Sequence, residues 1–114
     1  MIKTNNIQFI SNIEDKELYS MLSGNKGGRT RMRILDEILT NPSNANQLAK
    51  KLKLDYKTIT YHMNIICRHK YATKELFENY VRYYPSDKLI KKIDEYIKIK
   101  ECVQNEFQGS KKWR

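Results

Sequence analysis

Apolar positions along the chain keep helical spacing in five stretches and read as strand-like in two. Residues 13–23 suit a short helix that Gly24 would end, with 25–28 as a glycine-rich loop. A helix over 30–39 takes Thr30 as its N-cap and buries Ile34, Leu35 and Ile38, and Asn41-Pro42 stops it. The next opens at Asn44 with Gln47 three residues on, the arrangement of a capping box, and Leu48, Ala49 and Leu52 form its inner face. After a tight Lys53-Leu54-Asp55 turn, Asp55 caps a helix that begins at Tyr56 and runs to about residue 70. Strand-like stretches over 73–77 and 80–84 come next. Ser86 or Asp87 then caps a last helix that Gly109 would end.

Helix, turn, helix and hairpin in that order predict a mainly α fold with a small β-hairpin wing, a winged helix-turn-helix. Four segments follow: an arm and short helix over 1–28, a DNA-binding unit over 29–86, a C-terminal helix over 87–109 and a basic tail over 110–114. With 114 residues and 39% hydrophobic content the core is small, and a second copy of the chain would help complete it.

Charge sharpens the picture because it is uneven. The net +9 is concentrated in 41–71, at +5, and in 108–114, at +3, while 72–86 and 87–107 are each neutral. A basic excess confined to one motif and a tail is the footprint of a polyanion-binding face. No stretch nears the ~20 apolar residues of a membrane span, and residues 1–13 do not read as a signal peptide. The chain is expected to be cytoplasmic and associated with the nucleoid.

The helix from Tyr56 has two chemically distinct sides. With Ile59 at zero and ~100° per residue, Met63 falls near 40° and Ile66 near 340°, the buried side. Lys57, Tyr61, Asn64 and Arg68 fall between about 140° and 200°, with Thr58 and Thr60 beside them. Arg can bond bidentately to guanine and Asn to adenine, while Thr and Tyr reach phosphate or a thymine methyl. Any surface helix of a basic protein shows some such groups. The capped helix before it and the hairpin after it turn the reading toward a DNA major groove.

Residues 46–63, Asn-Gln-Leu-Ala-Lys-Lys-Leu-Lys-Leu-Asp-Tyr-Lys-Thr-Ile-Thr-Tyr-His-Met, together with the Tyr83-Tyr84 strand ending and the helix over 29–39, resemble the arsenic-repressor-like (ArsR-type) winged-helix regulators of bacteria and archaea. The resemblance covers about residues 29–86. It implies a homodimeric transcription regulator with Tyr56, Lys57, Thr58, Thr60, Tyr61 and Asn64 on the recognition helix. The chain departs from the family at three points. Lys53 stands where many relatives have Gly, the wing has no Gly and carries Glu75 and Glu78, and the metal-sensing cysteine pair has no counterpart.

Other groups have plainer readings. Lys26, Arg29, Arg31 and Arg33 are a basic run at a helix start, and Arg29 and Arg31 are candidates for phosphate contact as much as for a solvated face. On the wing, Tyr80 or Arg82 is the exposed residue, with Arg82 the candidate DNA contact, while Tyr71, Tyr83 and Tyr84 anchor the hairpin. His62 and Cys67 read as packed residues. The expected dimer stripe on the last helix is Leu89, Ile93, Tyr96, Ile97, Val103 and Phe107.

No metal site, cofactor motif, small-molecule site or catalytic constellation is visible, so an enzyme is not expected. Double-stranded DNA and a second copy of the chain are the expected partners. Two other readings stay open: an architectural, chromatin-type coat with little sequence preference, and a winged helix used as a protein–protein module.

Overall fold

A computed structural model describes residues 14–24 and 26–112, with side chains described as far as residue 105. The expected arm and tail residues 1–13 and 113–114 lie outside the described residues.

Helix α1 (Lys16–Ser23) starts where the Asp15 carboxylate accepts the Leu18 N–H at 2.9 Å, and it stops at Gly24, whose backbone is extended. It turns Leu18, Met21 and Leu22 inward. Helix α2 (Gly28–Thr40) begins two residues before the expected Thr30 cap. Its N-cap is Gly27 at φ 100°, a left-handed conformation that glycine alone adopts without strain. A Cβ at Gly27 would also collide with the His62 ring.

Strand β1 (Ser43–Asn44) went unforeseen, since two residues carry no alternation. It pairs antiparallel with β3 (Val81–Pro85), which also pairs with β2 (Ala72–Leu76), for a sheet order of β1-β3-β2. The wing strands thus start and end one residue from the expected positions. They turn through Glu78-Asn79, closed by Phe77 N–H to Tyr80 C=O at 2.8 Å.

Helix α3 (Ala45–Leu52) has the full capping box, with Gln47 N–H to Asn44 Oδ1 and Asn44 N–H to Gln47 Oε1 both at 2.8 Å. Lys53 takes the left-handed conformation (φ 58°, ψ 47°) despite its side chain. There the Leu54 N–H reaches Ala49 C=O at 3.0 Å, occupying one of the last carbonyls of α3. Helix α4 (Tyr56–Arg68) follows, with Asp55 as its N-cap.

The single last helix is corrected to two. Ser86 caps α5 (Asp87–Lys91), the chain bends at Lys92, and α6 (Ile93–Lys112) continues past Gly109. At the bend the Lys92 N–H bonds back to Leu89 C=O at 3.0 Å, and the Lys92 ammonium sits 3.0 Å from Asp15. A glycine inside a helix costs only about 1 kcal/mol, so Gly109 need not stop it.

One hydrophobic cluster runs from Leu18 and Leu22 through Ile34, Leu35, Ile38, Leu48, Ile59, Met63 and Ile66 to Tyr96, Ile99 and Val103. Beside it a polar stitch ties the two ends of the fold together. The buried Tyr71 hydroxyl lies 3.0 to 3.1 Å from the carboxylates of Asp15 and Glu17. Glu17 also meets His69 at 2.6 Å and Lys88 at 3.1 Å, and these partners, His69 foremost, lower its carboxyl to about 2. Burial and the two carboxylates push the Tyr71 phenol up. Among the described residues no helix is long and apolar enough to cross a membrane.

Candidate nucleic-acid interface

Helix α4 is set in place from its first turn. The Asp55 carboxylate accepts the Thr58 N–H at 2.7 Å, which leaves a negative group against the positive end of the helix. Ile59, Met63 and Ile66 are fully buried, and His62 joins them. Tyr56, Lys57, Tyr61, Asn64 and Arg68 are all exposed, and Thr58 and Thr60 are half-buried at their flanks. From Tyr56 through Thr60, Asn64, Lys57 and Arg68 to Tyr61 these groups span an arc of about 140° at the helical period. The expected reading face is therefore one continuous surface. Thr60 spends its hydroxyl hydrogen on the Lys57 carbonyl at 3.1 Å and keeps its methyl and lone pairs for a partner.

The groups around α4 divide. Lys50 and Lys53 are exposed on α3 and the turn, and Lys51 pairs with Glu37 at 3.0 Å. Arg29 is exposed at the start of α2. Arg33 donates to the Leu52 carbonyl at 2.8 Å and so closes the C-terminus of α3.

Arg31 is a correction. It is 8% exposed, its Nε donates to the Met21 carbonyl at 2.8 Å and its Nη1 bonds His62 Nδ1 at 3.1 Å. It faces the core of its own domain and has no phosphate to meet. The signal was present in the sequence. Arg31 precedes Ile34, Leu35 and Ile38 by three, four and seven residues and so shares their buried stripe. Arg29 and Arg33 fall on the opposite side.

The wing presents different chemistry. Leu76 is 83% exposed, and Phe77 stacks on Tyr80 with centroids 5.0 Å apart. Arg82 is half-buried, with its guanidinium 5.2 Å from the Phe77 ring centroid and donating to the Tyr80 hydroxyl at 3.1 Å. Tyr71 and Tyr83 are buried as hairpin anchors and Tyr84 is half-buried. A cleft of about 410 Å³ separates wing from head, between Asn44, Asn46, Tyr56, Leu76, Tyr80 and Tyr83. Sequence reading missed the exposure of Leu76, because strand register decides it.

The expected dimer stripe is also partly corrected. Leu89, Tyr96 and Val103 are buried within the chain's own core. The Tyr96 hydroxyl donates to Asp36 at 2.5 Å, so α6 packs on α2. Ile93 is half-buried against the same core. Ile97, and with it Ile90, remains about half exposed. The Phe107 side chain lies outside the described residues. Among the described residues no three His, Cys, Asp or Glu side chains group as a metal site.

No family model and no curated protein matches the chain. Solved structures share its architecture. A MarR transcriptional regulator from Methanosarcina mazei Go1 superposes with TM-score 0.64 at 18% identity, over 94% of this chain and 69% of that one. A probable transcriptional regulator from Pseudomonas aeruginosa gives 0.60 at 16%, over 92% and 81%. A mutant of Lactococcus lactis ZitR in complex with DNA gives 0.55 at 18%, over 93% and 75%. At such identities the likeness defines the class of fold. That class is the winged helix-turn-helix, mainly helical with a three-stranded antiparallel sheet.

Proposed function

We propose that this protein is a transcription regulator that binds double-stranded DNA as a homodimer, with α4 in the major groove. The observation that carries the reading is the outer arc of α4. Tyr56, Lys57, Tyr61, Asn64 and Arg68 stand exposed together on a helix whose other side is sealed into the core. Arg68 and Asn64 are the base-reading groups, Tyr56, Lys57, Thr58, Thr60 and Tyr61 contact phosphate or methyl groups, and Arg29 holds the backbone. The basic excess over 41–71 supports this, and so does the ZitR structure with DNA. The ArsR-type assignment rests on the sequence resemblance over about residues 29–86 alone.

The dimer forms through the exposed side of α5 and α6, with Ile90 and Ile97 at its centre. Two-fold symmetry then places half-sites ~34 Å, one helical turn, apart or a multiple of it. The protein works in the cytoplasm on chromosomal DNA.

The test is selection of bound sequences from a random duplex library, with winner and random duplex compared at two salt concentrations. A pseudo-palindromic winner favoured by ~10³ or more is the expected result. Strong, salt-sensitive binding without a winner would make the protein an architectural coat. Absence of binding would leave the protein–protein module.

A further inference from the structure

On the inner side of α4 His62 is held by a cation, while burial pushes the thiol of Cys67 up. The His62 ring is 7% exposed and Arg31, 8% exposed, donates from Nη1 to its Nδ1 at 3.1 Å. A guanidinium has no acceptor, so Nδ1 must carry the lone pair and Nε2 the hydrogen. Arg31 is in turn fixed to α1 through the Met21 carbonyl. Among the described residues no carboxylate pairs with it.

The surroundings leave little room for adjustment. From the loop before α2, Gly27 lies so close that a single added carbon would strike both the ring and Arg31 Nη1. On its own helix the ring meets Tyr61 edge-on at 5.0 Å. From α1, the Glu17 carboxylate is turned toward Tyr71, His69 and Lys88. An imidazolium would set donor against donor and charge against charge in a closed space. Burial first, and Arg31 second, already hold the ring below its ordinary range.

We propose that Arg31 and His62 form a latch that seats the recognition helix, so that the reading head engages DNA only while His62 is neutral. The latch rests on the DNA-binding reading above. It acts by position: Arg31 and His62 face inward, and the groups that touch DNA are carried on the helix they hold.

The test is affinity of the full chain for its selected duplex between pH 8 and 5 at fixed ionic strength, with the fold followed by circular dichroism and the His62 ring by nitrogen NMR. Affinity is expected to fall by up to about tenfold per pH unit through the His62 titration, as release of one proton on binding requires. That direction is diagnostic, because added positive charge alone strengthens phosphate binding on acidification. In His62→Gln the amide oxygen still accepts from Arg31, so neutral-pH affinity should stay within about threefold and the slope should vanish. His69→Gln, at the only other histidine, should keep the slope.

Wild-type affinity that stays flat or rises through the ring's titration overturns the latch, as does a slope retained in a folded His62→Gln. Should the protein bind no duplex at any pH, the functional reading fails and the latch is judged by NMR alone. Amide signals of α4 that move with the ring support it; static ones overturn it.

Discussion

Helix α4 and the wing both project from the same small core, yet they differ in how they are held and in what they offer. Three fully buried side chains and a capping carboxylate fix α4, and it presents two cations, an amide and phenols. In the wing, of β2 only Ala72 is buried, and the tip shows Leu76, Phe77 and Tyr80 beside Glu75 and Glu78. Of the two cations on its strands, Lys74 is exposed beside Glu75 and Arg82 is engaged by two aromatic rings. A helix seated from below can hold hydrogen-bonding groups at fixed spacing. A hairpin with little beneath it cannot hold a register of base contacts with the same accuracy. The contrast favours α4 over the wing for the base reading proposed above.

The largest effect should come from removing the seat. Ile66→Ala is expected to cost about 2 to 5 kcal/mol in urea unfolding, while Leu76→Ala on the wing should stay within about 0.5 kcal/mol. Comparable losses would mean that the wing is packed more firmly than its exposure implies. Next come the proposed contacts to DNA. Asn64→Ala or Arg68→Ala should lose about 1 to 3 kcal/mol on the selected duplex, with preference relaxed at one base position. Arg82→Ala should lose less than either, and an equal loss in a binding titration would move base reading to the wing.

Asp55→Ala should cost about 1 kcal/mol of stability through the lost cap. Its binding defect should be recovered at saturating protein if the outer arc itself is intact. Smaller still is the separation of two neighbouring arginines. Arg29→Ala should lower the slope of log affinity against log salt by about one unit, whereas Arg31→Ala should leave that slope alone and lower the melting temperature.

The last effect is the pH dependence of stability. Because the folded-state pKa of His62 lies below its ordinary 6.5, the unfolded chain takes up the proton first. Stability should therefore be full above about 6.5 and decline as pH falls toward the folded-state value. Urea titrations at pH 7.5 and 5 would show it, and His62→Gln should remove that share.

Much of the helix-turn-helix was legible because its signals are local. Asn44 with Gln47, Asp55 before Tyr56, and the Ile59, Met63, Ile66 stripe each act within one or two turns of helix. What escaped depends on distant partners. The stripe through Leu89, Tyr96 and Val103 announces burial, but periodicity does not say whether the chain's own core or a second copy provides it. The bend at Lys92 carries no Gly or Pro and is fastened to Asp15, which is far away in sequence. Arg31 lay on the buried stripe by phase, and its charge drew the reading outward instead. Phase was the better guide.

The stitch between α1 and the C-terminal helices has a consequence for how the chain assembles. The helix-turn-helix and hairpin are made by near neighbours, whereas Glu95 accepts the Glu14 N–H across 81 residues and Tyr71 meets Asp15 across 56. Ordering the chain between such partners must precede any return from joining them, and that entropy makes distant closures slow. The helix-turn-helix and hairpin should therefore form early and the α1–α6 closure late, and the same seam should be the first to open. In native-state hydrogen exchange, amides of α1 would lose protection before those of α4. The order of events in time would then run opposite to the order of the chain, with one of its first described elements among the last to lock.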